Sequence, residues 1–72
     1  MPGSITVMKA NVDKVFVGDS LGNLKCLNIV MLALYEDFGK FMKSGISHLE
    51  PLGDKIFVGD DNGVVKMIDS IF

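Results

Sequence analysis

The stretch that decides the fold is Asp13-Lys14-Val15-Phe16-Val17-Gly18-Asp19, which recurs as Asp54-Lys55-Ile56-Phe57-Val58-Gly59-Asp60. The two copies lie 41 residues apart (54 − 13 = 41), and the same offset pairs Gly22 with Gly63. Eight of the sixteen positions in 13–28 are identical in the second copy. Self-similarity at a fixed period of about 20–50 residues is typical of repeat architectures. The chain is therefore predicted to contain two copies of one structural unit.

Each copy is predicted to contain a β-hairpin. The runs 15–17 and 56–58 are β-branched and aromatic, which favours a buried, pleated strand. A short polar turn follows each run, and its glycine supplies the positive φ that tight turns require. The predicted turn residues are Gly18, Asp19, Gly22, Gly59, Asp60, Asp61, Asn62 and Gly63.

Further strands are predicted on both sides of each hairpin's first strand. Strands at 5–9 and 46–50 precede the runs, and the chain returns in strands at 23–29 and 64–69. Pro51 is predicted to end the strand before it, because proline cannot donate a ladder hydrogen bond. Within these strands we expect Cys26 to be a small core residue and His48 to be a packed or rim side chain.

The segment 29–44 admits two interpretations. Its apolar side chains recur at helical spacing, which favours an amphipathic helix near 30–43 and a small α+β domain of ββαββ order. Gly39 interrupts this pattern, however, and no N-cap residue precedes Val30. The repeat period also leaves room for a fourth strand near 31–36 and a loop. We therefore expect an all-β chain of two tandem, four-stranded antiparallel units, the second of them incomplete.

The period and the strand pattern match a propeller blade, which has four strands in about 40–45 residues. The run from Val58 to Asp69 resembles the second and third strands of a WD40 blade, with Ile68-Asp69 in the place of the family's Trp-Asp pair. Leu27-Asn28 is the degenerate equivalent in the first copy. Ile46-Ser47-His48-Leu49 resembles the inner strand that opens a blade. The resemblance covers most of the chain and implies two degenerate blades of the WD40-like β-propeller repeat family.

The sequence departs from the WD40 pattern at its aromatic and histidine positions. It contains no Trp, and no Gly-His pair precedes either inner strand. Quinoprotein-like propellers, whose blades also carry Val-Gly-Asp-x-x-Gly hairpins, are therefore the alternative family. Within the WD repeats, 4–9 and 38–41 are similar to late blades of the nucleolar WD-repeat-containing protein 55 family, which implies a link to ribosome biogenesis.

The repeat divides the chain into three predicted parts. Residues 1–4 are expected to be a disordered N-terminus, 5–44 a first blade-like repeat, and 45–72 a second repeat that lacks its outer strand. At 41 residues per blade, 72 residues make about one and three-quarter blades (72/41). Because about three or more repeats are normally needed to bury a repeat's faces, we expect the chain to self-associate or to be a fragment of a longer propeller.

Composition excludes several classes of protein. A net charge of −2 without a basic cluster gives no footprint for direct nucleic-acid binding. The longest uninterrupted apolar run, 29–35, is far shorter than the ~20 residues of a membrane-spanning helix. The single Cys has no intrachain partner, and the first residues do not form a secretory signal. These features favour an intracellular protein of the nucleus or cytoplasm, without a membrane partner.

Two motifs invite a catalytic or metal-binding interpretation, and neither is favoured. Gly18-Asp19-Ser20-Leu21 matches the GDSL esterase string, in which Ser20 would be the nucleophile, but His48 lacks that family's preceding Asp. In the acidic turn at 60–63, Asp69 stands where an EF-hand loop requires its Glu. One Cys and one His fall short of the about four ligands of a structural zinc site. No enzyme activity, cofactor or metal is predicted.

The predicted function is a non-enzymatic scaffold for protein–protein interaction. Propellers bind their partners with loops and rims that rigid sheets present. The expected partners are other proteins, a second copy of the chain, or further propeller blades. The candidate partner surface is an exposed apolar patch formed by Tyr35, Phe38, Phe41 and Met42.

Overall fold

The computed structural model describes residues 3–11, 13–30 and 33–69. These residues form seven strands and no helix: β1 (Ile5–Asn11), β2 (Lys14–Asp19), β3 (Asn23–Asn28), β4 (Ala33–Lys40), β5 (Ile46–Leu52), β6 (Lys55–Asp60) and β7 (Val65–Asp69). All the strand pairs are antiparallel. Sheet 1 has the order β1-β2-β3-β4, and sheet 2 has the order β5-β6-β7. The prediction of an all-β chain is confirmed.

The two sheets repeat each other in register. Phe16 lies opposite Cys26 in sheet 1, and Phe57 lies opposite Met67, each 41 residues further on, in sheet 2. The irregularity recurs as well, because the register shifts near the start of β1 and at the matching place near the start of β5. The duplicated sequence therefore forms a duplicated hydrogen-bond ladder.

Gly22 and Gly63 close the β2–β3 and β6–β7 turns. Their φ angles are +91° and +82°, a region that side-chain-bearing residues rarely adopt. The Gly22 N–H donates to the carbonyl oxygen of Asp19 at 3.3 Å, and the Gly63 N–H donates to that of Asp60 at 3.1 Å. Each turn thus forms at the place that the repeat predicts.

The segment after β3 corrects one prediction. Residues 33–40 form β4 along β3, so the helical alternative is wrong. The strand predicted at 31–36 continues to Lys40, which lies opposite Asn23, and its first two positions are outside the described residues. Pairing extends this far because Gly39 adopts a φ of +66° beside a register shift in the β3–β4 ladder, as a bulge requires.

Pro51 does not end β5, so that prediction is wrong as well. The strand continues to Leu52, with Pro51 opposite Ile56. The physical reason is that β5 is an edge strand of sheet 2. An edge strand pairs on one side only, so it tolerates a residue that has no N–H to donate.

The sheets pack face to face through a single apolar core. Because side chains alternate along a strand, each sheet has two faces, and one face of each sheet meets the other. The core residues, all at most 2% exposed, are Phe16, Leu24 and Cys26 of sheet 1, Ile46, Leu49, Ile56 and Val58 of sheet 2, and Met42 of the connecting segment. The burial of Cys26 confirms its prediction as a core residue. Burying a Leu, Ile, Val, Phe or Met side chain stabilises the fold by about 1.5–3 kcal/mol, so this core holds the sheets together.

The sheets approach each other most closely at Gly18 in β2. A Cβ built on Gly18 would lie 2.7 Å from Cγ2 and 2.8 Å from Cβ of Ile46, far inside the normal carbon–carbon separation. The hydroxyl of Thr6 lies within hydrogen-bond reach of the carbonyl oxygens of both Gly18 and Ile46. The missing side chain at position 18 therefore makes room for Ile46, and Thr6 joins the two backbones beside it.

We predict that Gly18→Ala lowers the free energy of unfolding by about 1–3 kcal/mol, because the added methyl group overpacks the contact with Ile46. Gly59→Ala is the matched control, since a Cβ there would meet only the Cβ of His48, at 3.5 Å. Its cost should stay below about 0.5 kcal/mol in the monomer. Urea denaturation of both variants, at chain concentrations low enough to keep the protein monomeric, checks the pair. Equal losses would contradict the close approach at Gly18.

Candidate functional site

Asp19, the last residue of β2, organises the first turn with its buried carboxylate. Oδ1 accepts hydrogen bonds from the N–H groups of Leu21 at 3.0 Å and Asn23 at 2.8 Å. Oδ2 accepts from the side-chain amide of Asn23 at 2.9 Å and from the N–H of Gly3 at 3.3 Å. Asp side chains favour turns through bonds of this kind. The carboxylate is thus engaged in holding the turn together.

Asp60 repeats this arrangement in the second turn. Its Oδ1 accepts from the N–H groups of Asn62 at 3.0 Å and Val64 at 2.9 Å. Burial alone would raise the pKa of both Asp19 and Asp60, but the hydrogen bonds outweigh it and hold each pKa below its ordinary value. Of the eight predicted turn residues, Gly22, Asp61, Asn62 and Gly63 lie in the turns, whereas Gly18 and Asp19 end β2 and Gly59 and Asp60 end β6, because their backbones pair with the neighbouring strands.

Gly3 and Ser4 bind to the first turn. The Ser20 N–H donates to the carbonyl oxygen of Ser4 at 2.8 Å, and the Ser4 N–H donates to Ser20 Oγ at 3.1 Å. Gly3 and Ser4 fall in the segment that is expected to be disordered, whereas hydrogen bonds to Asp19 and Ser20 hold them against the first turn. Residues 1 and 2 lie outside the described residues. The same backbone bond recurs in the second repeat, where the Asp61 N–H donates to the Gly45 carbonyl at 2.9 Å.

The two residues of the esterase interpretation lie in different sheets. Ser20 is in the β2–β3 turn of sheet 1, where its Oγ accepts the Ser4 N–H. His48 is an exposed residue of β5 in sheet 2, and its Nδ1 lies 3.2 Å from Ser47 Oγ. A catalytic serine needs a general base within hydrogen-bond reach. The Ser20 hydroxyl contacts Ser4 and the His48 ring contacts Ser47.

The described residues contain no cluster of three or more His, Cys, Asp or Glu side chains that could hold a metal ion. Burial raises the pKa of the Cys26 thiol, which keeps it in the unreactive protonated form. Across 3–11, 13–30 and 33–69 there is also no helix long and apolar enough to cross a membrane.

The face of sheet 2 that points away from the core is open. This front face of sheet 2 consists of His48 and Glu50 of β5, Phe57 and Gly59 of β6, and Val65 and Met67 of β7. Val65 is 65% exposed and Met67 is 52% exposed. Their counterparts 41 residues earlier, Leu24 and Cys26, are fully buried because sheet 2 covers them. The same kind of surface is therefore covered in one repeat and uncovered in the next.

A cavity of about 470 Å³ opens on the front face of sheet 2. Its lining includes Ser47, His48, Phe57, Gly59 and Val65. In sheet 1 the matching glycine, Gly18, is covered by the side chain of Ile46, whereas the space over Gly59 holds nothing nearer than the Cβ of His48. The cavity is the unfilled equivalent of the Ile46 seat.

Sequence reasoning missed this face, although a signal for it was present. The 41-residue offset matches Val65 with Leu24 and Met67 with Cys26, so both repeats carry apolar residues on the same face. Two sheets can bury only one such pair of faces, and the described residues contain no third sheet. An apolar front face without a cover could therefore have been expected from the repeat itself.

The predicted apolar patch does not form one exposed surface. Met42 is 2% exposed and belongs to the core, because its backbone N–H is tied to the first turn. Phe38 and Phe41 are half-buried and pack edge to face, with ring centroids 6.1 Å apart. The Lys66 ammonium lies 5.4 Å from the centroid of the Phe41 ring, within cation–π range. The side chain of Tyr35 lies outside the described part of the structure.

Comparison with known proteins identifies a similar fold and no family. No family model matches the chain, and no curated protein matches it. The crystal structure of the computationally designed Ika4 protein is similar to it, with a TM-score of 0.80 and 24% sequence identity over 90% of this chain. The match covers 40% of the Ika4 chain, so this chain spans less than half of that protein's length. At this level of identity the similarity concerns the arrangement of the antiparallel sheets.

We predict that Asp19→Ala lowers the free energy of unfolding by about 1–3 kcal/mol, because it leaves the buried donors of the first turn without their acceptor. Asp61→Ala is the matched control, since Asp61 is exposed and its loss should change stability by less than about 0.5 kcal/mol. Urea denaturation at neutral pH checks both variants. An Asp19→Ala effect as small as that of the control would show that the turn does not depend on this carboxylate.

We also predict that stability falls in acid. A carboxyl group whose folded-state pKa is depressed stabilises the fold above its unfolded pKa of about 3.9, and this contribution is lost as the pH falls through the folded pKa. Asp19 and Asp60 both have depressed pKa values, so the loss should occur between about pH 5 and pH 2. The double variant Asp19→Asn/Asp60→Asn should show a shallower decline in urea denaturation. Identical slopes for the two proteins would contradict this assignment.

Proposed function

We propose that this chain is a non-enzymatic scaffold module of the WD40-like β-propeller type, which binds proteins through the open side of its second sheet. Three observations support the proposal: the 41-residue repeat, the two antiparallel sheets in matching register, and their face-to-face packing. Propeller blades are antiparallel sheets that pack in this sequential manner. The WD40-like pattern at 58–69 agrees with the same architecture.

The observation that carries the proposal is the exposure of the front face of sheet 2. Val65 and Met67 are more than half exposed, and Val65 lines the cavity over Gly59. A contiguous apolar surface next to a concave site is typical of a protein-binding surface. A partner that covers this face would remove its apolar surface from water, which stabilises the complex by about 25 cal/mol per Å² of buried area.

The outer edge of sheet 2 supports the same proposal. In sheet 1 the edge of β3 is covered by β4, whereas β7 has no such neighbour within the described residues. The free backbone N–H and C=O groups of an edge strand can accept a strand from a partner. Sheet 2 thus offers both an exposed apolar face and a hydrogen-bonding edge.

The polar side chains support a role without catalysis. The Asp19 and Asp60 carboxylates hold the turns, and Ser20 Oγ accepts a backbone N–H. These groups are the strongest candidates for chemistry in the sequence, and each is engaged in structure. Ester hydrolysis by the purified protein that disappears in Ser20→Ala would contradict the proposal.

Site-specific photo-crosslinking in cells that express the chain tests the proposed surface. A photoreactive amino acid replaces Val65 in one version and Val30 in the control. Val30 is 80% exposed but lies between β3 and β4, outside the strands of both sheets. We expect protein adducts of discrete mass from position 65, because a partner covers that face.

The adducts should be absent at position 30, and Met67→Asp should remove them from position 65, because a charge on the front face weakens an apolar contact. Equal crosslinking at both positions, or none at position 65, would contradict the proposal. An adduct with any protein, including the chain itself, satisfies it, provided that Met67→Asp abolishes the adduct.

A further inference from the structure

We propose that the partner of the front face of sheet 2 is a second copy of this chain, which docks head to tail. This inference rests on the proposed function and names its partner. The docking surface on the second copy is the back face of sheet 1, from which the exposed side chains of Ile5 and Met8 project. In the docked pair, Ile5 of one copy lies over Gly59 of the other.

The contact between the two sheets of one chain provides the template. There Ile46 and Leu49 of sheet 2, at 1% and 2% exposure, pack onto the face of sheet 1 that carries Gly18. This face of sheet 1 is the equivalent of the front face of sheet 2. Ile46 occupies the space that Gly18 leaves free. This contact defines which side-chain shapes complement each other across two stacked sheets.

The projecting apolar pair and the glycine seat of this contact both occur a second time in the chain, unused. Subtracting 41 from positions 46 and 49 gives Ile5 and Met8, which are 61% and 60% exposed. Adding 41 to position 18 gives Gly59, over which the cavity of about 470 Å³ is open. Each chain thus carries an unused projecting pair at one end and an unused seat at the other.

The polar part of the contact is also duplicated. At the internal junction the Thr6 hydroxyl donates to the carbonyl oxygen of Ile46 and lies 3.3 Å from that of Gly18. Its counterpart is Ser47 (6 + 41), which keeps a hydroxyl and whose Oγ lies 3.2 Å from His48 Nδ1. In the docked pair, Ser47 takes the place of Thr6 and joins Gly59 to the carbonyl of the incoming Ile5.

The two docking surfaces differ from each other, which fixes the type of assembly. When a front face binds a back face, every added copy leaves one front face and one back face free. Addition of copies therefore continues until a ring closes or a fibre grows. Each copy brings two sheets, and closed propellers contain about 4–8. In a ring of two to four copies, every front face is therefore covered by the back face of a neighbouring copy.

Complementary variants test the proposal by size-exclusion chromatography with light scattering. The back variant is Ile5→Asp/Met8→Asp, and the front variant is Val65→Asp/Met67→Asp. All four side chains are more than half exposed in the single chain, so both variants should keep the folded β-sheet structure as monomers, which far-UV circular dichroism checks. The control is Ile29→Asp/Val30→Asp, which adds the same charge in the β3–β4 turn.

We expect the wild type and the control to form a closed oligomer of two to four 7.8 kDa chains. Each face variant alone should be monomeric, whereas an equimolar mixture should form a dimer and nothing larger, because only one intact pair of surfaces remains. Gly59→Ala should weaken wild-type assembly by about tenfold or more, because its methyl group occupies the seat of Ile5.

Several results would overturn this proposal. They are a wild type that stays monomeric, a mixture of face variants that does not pair, and a back variant that still associates through its front face. A crosslink from position 65 to a different protein, together with a monomeric wild type, would leave the scaffold proposal standing and remove only the second copy as its partner.

Discussion

The contact of Ile46 with Gly18 is the constraint on which the rest of the structure depends. The backbones of the two sheets come close enough at this point for an isoleucine side chain to fill the space where another residue would have its Cβ. The core on either side of the contact is then closed to water, as the burial of Phe16 and Ile56 shows. A larger residue at position 18 would hold the sheets apart and weaken all the apolar contacts between them.

Duplication explains both why the two sheets stack and why equivalent residues differ in exposure. The turn aspartates fix the same hairpin twice, so the two sheets have matching shapes and pack as successive members of a series. A series of two has one internal junction and two outer faces. Leu24 is therefore buried while Val65, at the same place in the next sheet, is exposed. This difference in burial between equivalent residues is the origin of the proposed binding surface.

Much of the fold could be predicted from the sequence, because the repeat preserved the residues that determine the hairpins. Gly22 and Gly63 mark turns, and the runs at 15–17 and 56–58 mark strands, through local conformational preferences. The helical alternative arose because apolar spacing in 29–44 fits both a helix and a bulged strand. Only pairing with β3 decides between them. The prediction that Pro51 ends its strand is wrong for a similar reason, since β5 tolerates a proline only because it is an edge strand.

The candidate site was harder to predict because exposure is a property of the assembled sheets. Met42 is of a residue type that is common at binding surfaces, yet its backbone hydrogen bond to the first turn directs its side chain into the core. Val65 and Met67 are of residue types that are common in cores, yet they lie on the exposed front face of sheet 2. Assigning either group requires knowledge of which faces are paired.

The central claim is that an isoleucine side chain packs directly against a glycine to set the stacking of the two sheets. Nuclear Overhauser effects between the methyl groups of Ile46 and the α-protons of Gly18 measure this contact most directly. The account predicts strong effects, comparable to those between paired strands within a sheet, because a Cβ on Gly18 would lie only 2.7 Å from the Ile46 Cγ2. Intact strand-pairing effects in both sheets without any effect between these two residues would contradict it.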